Sequence, residues 1–230
     1  MERLHASAGT EGPGPVRNPY FGSGEPIDDE TSASDAPSLT IEPFIGHRLW
    51  GVVPGTIVGG RPEHPVLRST TRDLNWEGPN LTATCLVRTD EGRPHPTEAV
   101  PARGCVCGIY ALKQPAPPPR PWVWAQGPIA LTGRVLEGRL GYRAERGRII
   151  GPIRLSLGGP SPTCLKPSCR RPADWVRVGP RLYLPRCESH LHPEVNGMFN
   201  IRLEEFLQYA AESFADRYGV GLEGASHGHR

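Results

Sequence analysis

Two groups of soft metal ligands stand out in the chain. The tighter one is Cys164, Cys169, Cys187 and His190, spaced as Cys-x4-Cys, 17 intervening residues, then Cys-x2-His. Structural zinc takes four such donors at tetrahedral angles, commonly delivered as two close pairs. Between the pairs, Asp174-Trp-Val-Arg-Val178 and Arg181-Leu-Tyr-Leu184 are strand-like and are separated by Gly179-Pro180. That pattern predicts a β-hairpin whose closure brings the two ligand pairs together. His192 offers a second spacing, Cys-x4-His, and the sequence leaves His190 and His192 both open as the fourth ligand. The competing structural reading is buried cysteines beside a surface histidine. A closed four-ligand site keeps no position for water, so its predicted role is to fold a segment too small to hold together by burial alone.

The second group is more spread out: Cys85, then His95-Pro96, then Cys105-Val-Cys107. Alternate positions on a strand face the same side, so Cys105 and Cys107 can reach one ion together. Two other readings remain open. Cys85 and Cys107 can be small core residues, or Cys105 or Cys107 can be a thiol nucleophile activated by His95. No orienting acid or oxyanion hole accompanies the thiol reading by pattern. The cofactor expected is therefore one Zn2+, with a second if this group also ligates.

The elements that must position these ligands differ along the chain. Residues 1–38 are rich in Gly, Pro, Ser, Asp and Glu, almost without branched apolar residues, and predict a disordered acidic arm. Residues 39–157 predict a β-rich domain, with Leu81, Ala83, Cys85 and Val87 on one strand face and further runs at Ile129–Glu137 and Arg148–Leu157. Glu137-Gly-Arg-Leu-Gly141 reads as a turn, and Lys113 to Pro121 as a stiff proline-rich surface connection. Trp50, Trp76, Trp122 and Trp124 are core or groove candidates. Residues 158–197 form the zinc-binding module and 198–219 an amphipathic helix spanning Ile201 to Tyr218. Asn200 is placed to cap that helix and Gly219 to end it, with Leu203, Phe206, Leu207, Ala210 and Phe214 as the apolar stripe. Residues 220–230 read as a disordered tail with nothing to pack. The fold class is α+β, mostly β: a small barrel or open sandwich, then a zinc-ribbon-like hairpin and one C-terminal helix.

Charge divides the same way. Residues 1–38 carry seven acids against Arg3 and Arg17, a net of −5. Residues 39–200 carry 21 Lys plus Arg against 12 Asp plus Glu, a net of +9. A basic body with an acidic arm suits a polyanion partner, though ordinary solvation also produces such charge. Lacking a long apolar run and a signal-peptide pattern, the chain is expected in the cytoplasm and away from membranes. In a reducing compartment six cysteines are metal ligands, reactive thiols or core residues rather than a disulfide framework.

Trp50, Cys85, His95-Pro96, Cys105-Val-Cys-Gly-Ile-Tyr-Ala111, Leu131-Thr-Gly-Arg-Val135 and Gly141-Tyr-Arg-Ala-Glu145 together resemble a pattern in uncharacterised proteins of high-GC bacteria and their phages. The resemblance spans about residues 48 to 150 and implies only that these positions belong to one unit. Within it, Arg143 and Glu145 are read as pointing outward from a strand edge. The C-terminal part, over about 35 residues, resembles zinc-ribbon and treble-clef domains, although Pro193 and Gly197 leave little room for a helix directly after His190.

Enzyme patterns are missing: there is no phosphate-cradling Gly loop with Lys, no Gly-x-Ser-x-Gly and no His-Glu-x-x-His. The leading expectation is a non-enzymatic zinc-stabilised binding protein acting on nucleic acid or on a nucleic-acid-handling complex. Lys166, Arg170, Arg171, Arg177, Arg181 and Arg186 can follow a phosphate backbone, with Trp175 and Tyr183 available for stacking. The alternatives are a protein–protein assembly module without nucleic-acid contact, or a cryptic thiol- or metal-dependent enzyme.

Overall fold

The computed structural model describes residues 42–223 apart from 56, 59–60, 63, 71–73, 86–94, 97–98, 104, 118–122, 158–160, 180 and 194–197. The acidic arm, Val87, Trp122 and residues 224–230 lie outside the described residues. In chain order the first half supplies β1 (Phe44–Val53), β2 (Ile57–Val58), β3 (Arg61–Pro62), β4 (Val66–Ser69), β5 (Asn80–Thr82) and β6 (Ile109–Leu112). The second half supplies β7 (Val123–Glu137), β8 (Gly141–Ile149), β9 (Arg154–Leu157), β10 (Trp175–Val178), β11 (Tyr183–Arg186), β12 (Phe199–Arg202) and the helix α1 (Leu203–Tyr218). The protein is thus mostly β with one C-terminal helix, and its principal sheet is antiparallel.

That sheet closes on itself. β1 pairs with β7 from Phe44↔Leu131 to Gly51↔Trp124. β7 turns through Gly138–Gly141 into β8, β8 pairs with β6, and β6 returns to β1 at His47↔Leu112. Closure removes the free edges that an open sheet would expose. It requires β6 to pass very close to two neighbours, and glycines permit this. A Cβ on Gly46 would lie 2.8 Å from the Ala111 side chain, and one on Gly141 only 2.2 Å from the Ala111 carbonyl oxygen. Gly141→Ala should therefore force the β6–β8 ladder apart and cost about 2–3 kcal/mol; chemical denaturation reads this directly, and an unchanged midpoint would contradict the close approach.

β7 bends at a bulge between Thr132 and Val135, where Gly133 adopts φ of 77°. Its first half carries β9 on the edge away from β1, and its second half carries β8 alone. β4 extends β1 beyond the point where β6 leaves it, and β5 continues along β8. The predicted strand through Leu81, Ala83 and Cys85 is limited to β5, because Ala83 leaves the ladder and binds only the Glu145 carbonyl through its N–H. The 148–157 run is likewise two strands, β8 and β9, separated at Ile150–Ile153.

The core joins the barrel and the C-terminal elements. Trp50 and Trp76 are fully buried and meet edge to face at 5.7 Å, and Trp124 is buried as well. Val176, Val178 and Tyr183 from the hairpin and Phe206, Phe214 and Tyr218 from α1 belong to the same apolar cluster. Polar contacts fix the docking: Tyr218 donates to the Trp76 carbonyl (2.8 Å) and accepts from the Leu67 N–H (2.9 Å), while Ser213 donates to the Pro65 carbonyl.

The helix starts later than the sequence suggests. Ile201 and Arg202 belong to β12, which pairs with β10, and Asn200 spends its side-chain amide on the His192 carbonyl rather than on a cap. Ladder pairing with β10 outcompetes one more turn of helix. Gly219 does end α1, in the left-handed conformation. The chain then stays on the barrel: Val220 and Leu222 pack against the core, and Ile153 and residues 221–223 exchange backbone hydrogen bonds. Residues 220–223 are therefore not part of a free tail, because two apolar side chains there find the core.

Candidate metal centres

The C-terminal centre is assembled by the three-stranded sheet β11–β10–β12. Cys187 directly follows β11 and opens a single 3-10 turn, Glu188–His190, that swings His190 back toward it. The Cys164 loop is pinned to the same strand by Leu165 N–H donating to the Pro185 carbonyl, and Cys164 N–H donates to the Arg171 carbonyl. Between the first two cysteines, Ser168 adopts φ of 66° so that the loop can turn Cys169 inward. The predicted hairpin thus forms as expected and does bring the ligand pairs together.

The result is a set of four donor atoms that all lie within 4.8 Å of one another. His190 Nδ1 is 3.3 Å from Cys187 Sγ and 3.5 Å from Cys164 Sγ, and Cys169 Sγ is 3.9 Å from Cys187 Sγ. With Zn–S of about 2.3 Å and Zn–N of about 2.0–2.1 Å, tetrahedral edges are about 3.8 Å between sulfurs and about 3.5 Å between sulfur and nitrogen. The measured edges fit that solid. His192 is exposed and outside the group, so the fourth donor is His190. Burial pushes the Cys164 thiol up, but backbone hydrogen bonds from Cys187 and Lys166, with help from His190 and Cys169, outweigh it and hold the thiol down to about 6. Cys187 is pushed up, by burial first and then by the neighbouring sulfurs of Cys164 and Cys169. Crowded sulfurs that resist joint ionisation are what a divalent cation relieves.

The second centre sits on the outside of β8. Cys85, His95, Cys105 and Cys107 again place one donor atom each within 4.8 Å of the others. Cys85 and Cys105 sulfurs are 3.7 Å apart, and Cys107 Sγ is 3.2 Å from His95 Nε2. The Nδ1 of His95 lies 2.8 Å from the Pro96 carbonyl, which can only accept, so the ring hydrogen belongs on Nδ1 and the Nε2 lone pair faces the sulfur. Cys105 and Cys107 do not share a strand face as expected: β6 starts at Ile109, and a turn with Gly108 at φ of 119° aims both sulfurs at one centre.

Beneath this turn lies Arg143, a residue expected to point outward. It is buried, and its guanidinium Nη1 donates to the Cys105 carbonyl and approaches the Ala102 and Cys107 carbonyls at 3.4 Å. Residues 101–103 and 105–107 cover Arg143 on the outer face of β8, so that side chain is interior as well. Nothing in the alternation of Gly141-Tyr-Arg-Ala-Glu145 announces such a cover. Glu145 instead accepts from the Arg134 N–H and pairs with Arg146.

In both centres four protein donors enclose the middle, and sulfur separations of 3.7 and 3.9 Å are far from the roughly 2.05 Å of a disulfide. The Cys107–His95 pair has the separation of a thiol and its base, yet the other ring nitrogen is held by a carbonyl rather than an acid. Either group can hold a metal ion. The residues expected to contact nucleic acid separate into two sets. Arg170, Arg171 and Arg181 are exposed, and Trp175 and Arg186 are half-buried. Tyr183 and Arg177 are corrections: Tyr183 packs on Phe206 at 4.8 Å in the core, and Arg177 is buried against Met198. The hairpin turns the Val176, Val178 and Tyr183 face to the barrel, a choice that its alternation alone leaves undecided.

No protein-family model, curated protein or solved structure matches this chain. Among the described residues no helix is long and apolar enough to cross a membrane.

Proposed function

We propose that the protein is a non-enzymatic binding protein held together by two structural zinc ions, acting in a reducing, cytoplasmic setting on nucleic acid or a complex that handles it. The observation that carries the zinc reading is the pair of Cys3His groups, each with its four donor atoms within 4.8 Å of one another, which supplies the four ligands of a closed structural site. Soft thiolates with one imidazole favour zinc over hard cations such as Mg2+ or Ca2+. Support for a polyanion partner comes from the C-terminal module. Arg170, Arg171 and Arg181 are exposed there, and among the described residues no carboxylate pairs with them. On the same three-stranded sheet Arg202 lies over Trp175, 4.1 Å from the ring, which keeps an aromatic face and a cation together.

The test compares the zinc-loaded full chain with the triple variant Arg170→Ala, Arg171→Ala, Arg181→Ala on single- and double-stranded DNA and on RNA across a salt series. Each phosphate contact removed should lower the salt slope by roughly one, so binding should weaken most at low salt. If the full chain binds none of the three polymers at low salt, the nucleic-acid reading is wrong and protein–protein assembly replaces it.

A further inference from the structure

A second feature of the barrel adjoins the Cys105–Cys107 centre, since Cys107 also lines it, but its charge comes from a different residue. Arg48 lies on the inner face of β1, in line with Gly46, Trp50 and Val52, where an apolar residue is expected. It sits where β1 passes from β6 on one side to β4 beyond it, since His47 pairs with Leu112 and Trp50 with Ser69. The handover leaves a cleft in the barrel wall, lined by Arg48, Ser69, Leu81, Thr82, Thr84 and Tyr110 among others. Arg48 is only 6% exposed, a depth at which a charged group is rarely found without a partner of opposite charge.

Its partners are all neutral. Nη1 donates to the Tyr110 carbonyl, Nη2 to Ser69 Oγ at 3.0 Å, and the guanidinium carbon lies 5.4 Å from the Trp76 ring. Nε is buried with no hydrogen-bond partner, and among the described residues no carboxylate reaches the side chain. Burial without a counter-charge holds the guanidinium down to about 10. Ser69 adds to the imbalance. Its oxygen already accepts from Arg48 and from Trp76 Nε1 at 3.3 Å, so its own hydrogen is left to donate. The cleft floor therefore offers donors and a positive charge, and among the described residues no carboxylate balances that charge. The rim has the opposite character: Leu74 (41% exposed) and Val106 (40% exposed) both line it, and large apolar side chains are otherwise seldom this exposed in the described chain.

We propose that this cleft binds a small organic oxyanion, with its phosphate or carboxylate group against Arg48 and Ser69 and its apolar part against Leu74 and Val106. The buried cation is then the ligand's counter-charge, and the charge-assisted hydrogen bonds it makes are of the strong kind. Thr82 and Thr84 at the mouth can supply further hydroxyls to the same group.

The zinc-loaded full chain is titrated by calorimetry with phenyl phosphate, phenylacetate, inorganic phosphate, acetate and benzyl alcohol. The expected result is saturable one-to-one binding of phenyl phosphate or phenylacetate, whichever group the floor prefers, weaker binding of the bare anions, and none of the neutral alcohol. Trp76 fluorescence should respond to the ligand, because the guanidinium that faces its ring changes partner. Arg48→Met should weaken binding at least about tenfold while leaving thermal stability equal or higher, since it replaces an uncompensated buried charge with an apolar side chain of similar length. A clamp with a purely structural role would do the reverse and lose stability. Ser69→Ala is the second variant, expected to weaken binding without unfolding the barrel, and it serves if Arg48→Met does not fold. Absence of binding by all four anions at millimolar concentration, or unchanged affinity in both variants, would overturn the proposal.

Discussion

Cys169→Ser is expected to release one of two zinc ions and to loosen the whole C-terminal sheet. Cys169 is the one sulfur of its group that is only half-buried, so the substitution removes a ligand with little loss of packing. Apparent zinc-binding energies in small structural sites reach about 10–16 kcal/mol, and they count as folding energy where no preformed site exists in the unfolded chain. Here the hairpin also rests on the barrel through Val176, Val178 and Tyr183, so loss of zinc does not release the segment into free solution. The expected cost is therefore smaller, about 3–5 kcal/mol, which corresponds to a fall in Tm on the order of 10 °C for a chain of this size. Because Tyr183 packs against Phe206, the effect should reach α1 and appear in the far-ultraviolet helix signal as well as in the metal content. Full metal occupancy in this variant would remove the C-terminal site from the account.

The second large effect is expected at Arg143. It supports the Cys105–Cys107 turn from below, its guanidinium donating to the Cys105 carbonyl and approaching those of Ala102 and Cys107. It also sets a positive charge beside three thiolates and one imidazole, a group that carries a net charge of about −1 once a divalent ion is bound. Arg143→Met removes both contributions while keeping much of the side-chain volume. Outer partners of metal ligands typically control 10–100-fold in affinity, and that is the loss expected for the zinc at Cys85, His95, Cys105 and Cys107, with the C-terminal site unchanged. Competition with a chromophoric chelator resolves the two ions. Equal weakening of both sites, or of neither, would show that Arg143 does not support the Cys105–Cys107 centre. Cys107→Ser provides the direct comparison and should abolish the site that Cys107 belongs to and leave the C-terminal one intact.

The donor sets were legible because three cysteines and a histidine at paired spacing have few uses other than to share one centre. Cys164, Cys169, Cys187 and His190 converge as their spacing implies, and Cys85, His95 and the Cys105-Val-Cys107 pair converge from more widely spaced positions in the sequence. The hairpin, the apolar stripe of α1 and its end at Gly219 followed from local chemistry for the same reason. What the sequence could not convey was which faces become covered. Arg143 alternates like a surface residue, and only the loop folded over β8 makes its side of the strand interior. Tyr183 and Arg177 lie on opposite faces of one small sheet, and both are buried, one by the barrel and the other by Met198. Closure of the barrel rests on Gly46 and Gly141 meeting Ala111, a contact between residues too distant in sequence for any local pattern to signal. Arg48 escaped notice because one charged residue in an apolar alternation reads as an interruption, not as a buried cation.

Metal content of the purified full-length chain tests the account most directly. Elemental analysis under reducing conditions should find two zinc ions per folded chain, falling to one in Cys169→Ser and to one in Cys107→Ser, each variant losing a different ion. A natively folded chain that carries no zinc and remains stable in excess chelator would contradict it, and both Cys3His groups would then be ordinary buried cysteines with a histidine beside them.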